Sequence, residues 1–482
     1  MLSSQSRCSL SGGGKSPNQL KSANWHTARV LDGQPLLAVR VNPAEIVQDS
    51  QEWLSYECAM TEDAAMKNHS DISKRAVVFL SAALLGLAAL GWASPQSRED
   101  LRASSLVANQ TTVSEQKLPP LEIAREGYLF AGGKYSTDKD TKVMSGQIYA
   151  EFQIPAHQRH PYPIVFIHGG AQTGTNFTGT PDGREGWAQF FLRQGYAVYV
   201  VDQAGRGRSA YLNNLYGPQT TPTLDFVQQR FTAIENYNRW PQAHLHMQWP
   251  GKGTPGDPIF DEFYASQVQA MVSFPLQQEL TSGGILALLE KIGPAILLTH
   301  SQSGATGWPV ADAQPGRVKA IVAVEPSGPP FYNVENIAAP EWFRDADLQR
   351  PWGIAAGPLT YSPPAASSSD LAIVRQDQPD GPEVSRCWMQ KSPARQLPNL
   401  QKVPILVVTS EASYHRAYDH CTAKYLEQAG VNVTWIKLGD VGIHGNGHMM
   451  MVEKNNAEIA AVMSRWIEKT IPPATNANSA KR

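Results

Sequence analysis

The sequence predicts an α/β fold with a mostly parallel central sheet flanked by helices. Short apolar runs rich in β-branched residues recur along the chain, and helix-like segments separate several of them. Polar residues and glycine turns follow the runs where strands would end. Alternation of this kind is typical of parallel sheets, because a chain that returns to the same edge needs a crossover connection.

The predicted strands and helices follow one another from about Leu121. Two segments are expected to be helices, 283–293 and 455–470. Seven segments are expected to be strands: 145–154, which alternates like an exposed early strand, 163–170, which runs into a glycine turn, 196–209, 295–299, 318–325, 403–410 and 433–438.

Two insertions interrupt this pattern, at about 210–280 and 327–400. Both are rich in proline and aromatic residues and are too long for simple connections. We therefore expect a catalytic domain over residues 121–475 in which the insertions build a cap over the carboxyl edge of the sheet.

The chain before this domain carries one apolar run, from Ala76 to Ala93, preceded by Lys74 and Arg75. We interpret residues 66–93 as a secretory signal peptide cleaved after Ala93; an uncleaved signal anchor is the alternative. Residues 1–65 lack sustained apolar periodicity and are expected to be non-structural or an over-extended reading frame, and residues 94–120 a linker. The protein is accordingly expected to be periplasmic or secreted.

Export leaves two cysteines in the mature chain, Cys387 and Cys421. In an oxidising compartment a disulfide between them is favoured over two free thiols. Neither has a metal-ligand spacing, so no zinc site is expected on them.

The balance of charged residues argues against a nucleic-acid partner. With 41 Lys and Arg against 43 Asp and Glu, spread along the chain, no basic surface for nucleic acid is indicated. A membrane contact is expected only if the apolar segment is not cleaved. A homodimer is left open.

The segment Thr299–Ser303 is interpreted as a sharp turn between a strand and a helix that exposes a serine nucleophile. Ser301 fits this turn better than Ser303, because a histidine precedes Ser301 and the 24 residues to Glu325 accommodate a helix and a return strand. His300 itself is expected to be structural.

His448 precedes the last helix and is expected to be the general base, with His444 as the alternative. Glu325, which ends a buried strand, is expected to be the acid that orients the histidine; Glu411, after a later strand, is the alternative. Glu411 with His415, Asp419 and His420 could suggest a metal cluster, but a solvated polar helix is favoured.

The oxyanion hole is assigned to the backbone N–H groups of Gln302, after the nucleophile, and of Gly170, with Gly169 as the alternative. The segment Gly205–Ser209 is rich in glycine but lacks the spacing of a phosphate loop, so it is interpreted as a turn.

With HGG, DQAGRGRS, THSQSG, VEPSGPP and GNGHMMMVEK in this order, the chain resembles the α/β-hydrolase superfamily from about residue 120 to 470. It looks most like secreted bacterial esterases with a Ser-Glu-His triad. The resemblance implies Ser301, Glu325 and His448 as the triad of a carboxylic ester hydrolase. It departs from the common pattern at Thr299 and Ser303, where glycine is more usual.

These inferences together predict an enzyme that cleaves a small-molecule carboxylic ester through an acyl-enzyme intermediate and needs no metal or organic cofactor. An amidase or peptidase with the same triad and a catalytically silent binding protein of the same fold are the alternatives. Haloalkane dehalogenases and epoxide hydrolases of this fold use an aspartate nucleophile, so Ser301 argues against both.

Overall fold

The structure is a computed structural model that describes residues 118–471 apart from residues 338 and 340. The expected N-terminal region 1–65, the signal peptide 66–93 and nearly all of the linker 94–120 lie outside the described residues. Within the described part of the chain, no helix is both long and apolar enough to cross a membrane.

The strands in chain order are β1 Ile123–Asp138, β2 Thr141–Pro155, β3 Ile164–Ile167, β4 Val198–Asp202, β5 Gln219–Thr220, β6 Ala270–Met271, β7 Ala295–His300, β8 Val318–Val324, β9 Phe331–Asn336, β10 Phe343–Arg350, β11 Ile373–Arg375, β12 Trp388–Gln390, β13 Ile405–Thr409 and β14 Val433–Lys437. Eight of them form the central sheet, in the order β1-β2-β4-β3-β7-β8-β13-β14. Strand β2 runs antiparallel to β1 and β4, and the remaining neighbours in this sheet are parallel.

Helices cover both faces of the sheet. The α-helices are α1 Thr175–Thr178, α2 Trp187–Arg193, α3 Asn213–Tyr216, α4 Leu224–Val227, α5 Pro258–Ala265, α6 Phe274–Ile292, α7 Gly304–Ala313, α8 Asp419–Gln428 and α9 Asn456–Thr470. A π-helical turn spans Gln228–Thr232, and short 3₁₀ turns span Ile234–Asn236, Ala243–Leu245, Ser301–Ser303, Ser368–Asp370, Leu400–Lys402, Tyr414–Ala417 and Leu438–Val441.

The alternating side chains of the central strands enter two separate hydrophobic cores. In β3, Ile164 and Phe166 pack in the core that includes residues of α2 and α9, whereas Val165 and Ile167 pack in the core that includes residues of α6, α7 and α8. A strand covered on both faces has no polar side, which explains why these strands read as continuous apolar runs.

The register of the parallel strands fixes where the chain leaves the sheet. His300 at the end of β7 lies beside Val324 at the end of β8, and Val324 lies beside Val408 of β13. The residues that follow these three strands therefore emerge at the same carboxyl edge, where ligands bind in open α/β sheets.

The predicted fold class is confirmed, and each of the seven predicted strand segments overlaps a strand of the central sheet. Strand β1 was not predicted from the sequence. It forms a long antiparallel hairpin with β2 at the edge of the sheet, and most of its side chains are exposed or half-buried. An edge strand of this kind lacks the regular apolar alternation that sequence patterns detect.

The two insertions differ in their contacts. The first reaches the carboxyl edge of the sheet, where Phe231 stacks against His448 with ring centroids 5.5 Å apart. The second contains the hairpins β9–β10 and β11–β12, and its Phe331 packs edge-on against Tyr425 of α8. The cap formed by both insertions stays a prediction.

Candidate active site

Ser301 lies at the turn between β7 and the helical segment that becomes α7. Its φ angle of 53° falls in the left-handed region, which non-glycine residues adopt rarely. The turn is tightly packed: a Cβ atom on Gly304 would lie 2.4 Å from Cβ of Pro326. A Cβ atom on Gly169 would lie 3.0 Å from Cβ of Ser301. The sequence therefore builds the expected sharp turn from a strained serine and glycines that permit close approach.

Ser303, the alternative nucleophile, is fully buried, and its hydroxyl group is hydrogen-bonded to backbone groups. Its Oγ atom accepts from the N–H of His300 at 2.9 Å and donates to the carbonyl of Ile167 at 2.6 Å. Thr299 is also fully buried, and its methyl group would lie 3.1 Å from a Cβ atom on Gly307. The two departures from glycine thus point into the protein, and the geometry favours Ser301 as the accessible hydroxyl.

Glu325 directly follows β8 and is fully buried. Its carboxyl group accepts from the N–H of Ser410 at 2.8 Å, from the Oγ of Ser410 at 2.5 Å and from the Oγ of Ser413 at 2.7 Å. Burial raises the pKa of Glu325, whereas the nearby His415 and these hydrogen bonds act in the opposite direction. The residues after β13 therefore supply the polar environment that a buried carboxyl group needs.

The structure brings His448 to Glu325. Nδ1 of His448 lies 2.5 Å from Oε2 of Glu325, and both side chains are inaccessible to solvent. The alternatives, His444 and Glu411, contact each other instead at 3.1 Å, with 59% and 26% of their side chains exposed. Of these two pairs, Glu325–His448 is the buried one, as expected for a carboxyl group that orients a general base.

The imidazole of His448 is enclosed by other rings. His415 stacks on it at 4.8 Å with an interplanar angle of 7°, and the rings of Tyr414 and Phe231 lie 4.8 and 5.5 Å away. Burial, with smaller contributions from His415 and Arg230, lowers the pKa of His448 well below its ordinary range. The ring is therefore neutral at neutral pH, which is the form that can accept a proton.

His300 holds the backbone of the same loop. Its Nε2 donates to the carbonyl of His448 at 3.1 Å, and the two rings are 4.5 Å apart. The expectation that His300 is structural fits this contact, although the side chain faces His448.

A buried network fastens the loop before His448. The N–H of Gly447 donates to Glu453 at 3.0 Å, and Nδ2 of Asn446 donates to the other oxygen of Glu453 at 2.7 Å. His246, from the first insertion, bridges Glu453 and Glu235, at 2.8 Å to each. The network thus joins the first insertion to the loop that carries the candidate base.

The two candidate oxyanion donors lie on neighbouring segments. A Cβ atom on Gly170 would be 3.9 Å from Cδ of Gln302, so the two segments are in contact. Within the described residues, the backbone N–H of Gly170 has no hydrogen-bond acceptor. Such an N–H is available to an oxygen atom of a ligand.

Arg206 clamps these two segments from behind. It is buried, and its two Nη atoms donate to the carbonyl of Gly169 and to Oε1 of Gln302, each at 2.7 Å. No carboxylate among the described residues pairs with it, and burial lowers its pKa to about 10. The sequence reasoning missed this residue, because the segment 205–209 was interpreted only as a glycine turn.

Comparison with known proteins identifies the family of this chain. The Alpha/beta hydrolase family matches residues 164–462. The probable secreted lipase phiG of Fungal sp. (strain ATCC 74256) is 47% identical over 345 residues, which cover 71% of this chain and 89% of that protein. The chain belongs to the alpha/beta hydrolase family. The prediction of a carboxylic ester hydrolase is likewise confirmed by the relationship to this lipase.

Among solved structures, this hydrolase is similar to the atomic-resolution structure of a novel bacterial esterase. The sequences are 24% identical, the TM-score is 0.50, and the match covers 73% of this chain and 98% of the esterase. At this identity the likeness supports the shared fold, and the predicted α/β-hydrolase fold is confirmed.

The segment after β13 contributes more to the site of this hydrolase than its sequence suggests. Tyr414 is buried, and its hydroxyl group interacts with the side chain of Ser301. His415 is paired with Asp419 at 2.9 Å, and both are buried. The interpretation of this segment as a solvated polar helix is therefore wrong for these residues. The proximity of the ends of β8 and β13 was the signal that could have found them.

The predicted disulfide between Cys387 and Cys421 is present, with the two Cα atoms 5.2 Å apart. It joins the segment before β13 to α8 of this hydrolase. His420 lies beside it, but oxidised sulfur atoms are not thiolate ligands for a metal. Glu325, His415 and His448 also have ligand atoms within 4.8 Å of one another, yet their hydrogen bonds already engage Nδ1 of both histidines.

Proposed function

We propose that this protein hydrolyses carboxylic esters in two steps through an acyl-enzyme on Ser301, with His448 as the general base and acid and Glu325 as its partner. The single observation that carries the proposal is the buried 2.5 Å contact between Glu325 and His448 beside the strained turn of Ser301. A neutral imidazole held in one orientation by a carboxyl group is what a serine needs to become a nucleophile.

In the first step, Ser301 transfers its proton to His448 and attacks the ester carbonyl carbon. Negative charge develops on the carbonyl oxygen, and the N–H groups of Gln302 and Gly170 stabilise it. His448 then returns the proton to the leaving alcohol. In the second step, water transfers a proton to His448 and attacks the acyl carbon; as the bond between the acyl carbon and Oγ of Ser301 breaks, His448 returns the proton to Oγ and the acid is released.

Glu325 supports both steps. Its hydrogen bond to Nδ1 keeps the Nε2 atom of His448 available for the reacting proton, and its charge stabilises the transient imidazolium. Ser410 and Ser413 fix the carboxyl group in position.

The natural substrate is proposed to be an ester of a lipid or another small acyl compound, on the basis of the related lipase. We further propose that the protein acts after export. The relative is described as a secreted protein, the disulfide suits an oxidising compartment, and the apolar segment 76–93 suits a signal peptide. We also propose that Ser301, Glu325 and His448 form a Ser-Glu-His triad like that of secreted esterases.

The decisive experiment assays the wild type and Ser301→Ala against aryl esters of increasing acyl length and against matched anilides. Loss of ester turnover by at least a thousandfold in a folded variant is expected. Turnover that persists would reject Ser301. A preference for anilides would identify an amidase, and no turnover of any ester or anilide by the wild type would identify a silent binding protein.

Two matched pairs test the other members of the triad. His448→Ala and Glu325→Gln are expected to reduce kcat strongly, whereas His444→Ala and Glu411→Gln remove the exposed alternatives and should not. The reverse result would transfer the roles to the second pair.

N-terminal sequencing of the protein recovered outside the cell tests export. Cleavage after Ala93 predicts Ser94 as the first residue. A first residue upstream of Ala76 would reject this cleavage.

A further inference from the structure

Arg230 places a positive charge at the candidate active site. It belongs to the π-helical turn Gln228–Thr232 in the first insertion, and the next residue, Phe231, stacks against His448. Short π-helical segments are frequent at functional sites. Neither the catalytic steps proposed above nor the sequence reasoning uses this arginine.

Aromatic rings fix the position of the charge. The guanidinium carbon of Arg230 lies 4.3 Å from the centroid of the Tyr414 ring and 5.7 Å from that of Phe226. The Tyr414 ring in turn lies 4.8 Å from the His448 ring, and its hydroxyl interacts with Ser301. One aromatic ring therefore separates the guanidinium from the nucleophile and the base.

This arginine has no anionic partner within the residues that the structure describes. No carboxylate of these residues lies within 4.0 Å of its guanidinium group, and its side chain makes no hydrogen bond with them. By contrast, five other arginines of the described chain form ion pairs: Arg184, Arg193, Arg208, Arg344 and Arg375. The side chain is half-buried, so it remains open to a ligand while part of its hydration is removed.

The carboxyl groups around His448 are already engaged and form no ion pair with Arg230. The acidic side chains in this cluster, Glu325 and Asp419, are buried and hydrogen-bonded to His448 and His415. Burial also raises the pKa of both carboxyl groups. Arg206, behind the oxyanion loops, adds a second cation without an acidic partner.

We propose that Arg230 forms a subsite for an anionic group of the substrate, so that the enzyme favours esters that carry a carboxylate over neutral esters of the same size. A guanidinium presents a planar pair of donors that matches a carboxylate, and such charge-assisted hydrogen bonds are among the strong ones. The inference rests on the proposed ester hydrolysis and adds the substrate class.

The competing explanation is that Arg230 only braces the first insertion on Tyr414 through cation–π contacts. A brace would affect neutral and anionic esters equally. A subsite affects the anionic ester selectively, so the ratio of the two rates separates the explanations.

The test compares the 4-nitrophenyl monoester of adipic acid with its methyl ester, which has the same reacting group and no charge. 4-Acetoxybenzoate and its methyl ester place the charge on the leaving group instead. For each pair, the ratio of kcat/KM for the anionic to the neutral ester is measured in the full-length exported protein at low and high salt.

The wild type is expected to favour the anionic member of at least one pair, and Arg230→Gln to lower that ratio about tenfold or more. Arg230→Lys keeps the charge but lacks the planar guanidinium group, so its ratio should lie between those of the wild type and Arg230→Gln. Added salt should reduce the preference of the wild type. Arg239→Gln, an exposed arginine of the same insertion, should leave the ratio as it is.

A wild-type ratio at or below one for both pairs would overturn the subsite. So would an equal loss of both rates in Arg230→Gln. The proposed function fails separately: if Ser301→Ala retains turnover of the neutral esters, the nucleophile is wrong, whatever the charge preference.

Discussion

Nη2 of Arg206 donates to Oε1 of Gln302 at 2.7 Å, and Nη1 of the same arginine donates to the carbonyl of Gly169. One buried cation thus ties together the two segments that carry the candidate oxyanion donors. Burying a charge without an acidic partner destabilises the fold. We therefore expect Arg206 to position the oxyanion donors or to stabilise the negative charge that develops on the substrate.

Replacing Arg206 with Met should lower kcat on the order of tenfold to a hundredfold, with a smaller change in KM, because the N–H donors lose their fixed spacing. Steady-state kinetics together with the affinity for a trifluoromethyl ketone inhibitor check this, since the ketone forms a tetrahedral adduct. Affinity and kcat/KM should fall in parallel. An unchanged kcat in a folded variant would contradict the positioning role.

Activity should persist at acid pH. Burial lowers the pKa of His448 well below its ordinary value, so the neutral imidazole survives as the pH falls through about 6.5, where a free histidine gains its proton. The acid limb of the kcat/KM profile should therefore lie below pH 6.5. Recording the profile from about pH 4 to 8, with fluorescence to exclude unfolding, is the measurement; a midpoint at or above 6.5 would be inconsistent with it.

Stability should fall in the alkaline range because of His246. Burial opposes protonation of this ring, but hydrogen bonds with Glu235 and Glu453 outweigh it and raise its pKa to about 9. A raised pKa stabilises the fold fully below the unfolded value of about 6.5, and the contribution is lost as the pH rises through about 9. The melting temperature of the wild type should thus decrease between pH 7 and 10.

His246→Gln should melt lower at pH 7 and lose less stability over that interval than the wild type does. His444→Gln, at an exposed histidine, is the matched control. Equal pH dependence in the wild type and His246→Gln would show that the bridge to Glu453 carries no charge.

Removal of the disulfide should destabilise the protein without abolishing catalysis. The bond joins residues 34 positions apart, and a loop of this length corresponds to about 3–4 kcal/mol in the free energy of unfolding. Cys387→Ser with Cys421→Ser should therefore show a lower midpoint of urea unfolding. A midpoint equal to that of the wild type would contradict the expected constraint.

The sequence predicted the central strands well because they are buried on both faces and therefore continuously apolar. It also predicted the positions of Ser301 and Glu325, which directly follow β7 and β8. It favoured Glu325 over Glu411 because Glu325 directly ends a buried strand, but it left Glu411 as the alternative, since both residues follow neighbouring parallel strands. The choice depends on which carboxyl group the serines after β13 and His448 face, and this is a property of the folded loops.

The other residues of the candidate site were not predicted, because they lie in polar segments of the sequence. Tyr414, His415 and Asp419 read as a solvated segment, yet they are buried against His448 because aromatic and paired polar groups can replace water. Arg206 and Arg230 carry no periodic signal at all, since their roles arise from segments that are distant in sequence and meet only in space.

The disulfide at Cys421 bears on when the candidate site is completed, as well as on its geometry. Cys421 lies two residues beyond Asp419, which pairs with the His415 that stacks on His448. Thiols stay reduced in the cytosol and couple only outside it. Under the export proposed above, a newly made chain would form this disulfide only after leaving the cytosol, so the scaffold behind its candidate base would be completed late, away from the esters of the cell.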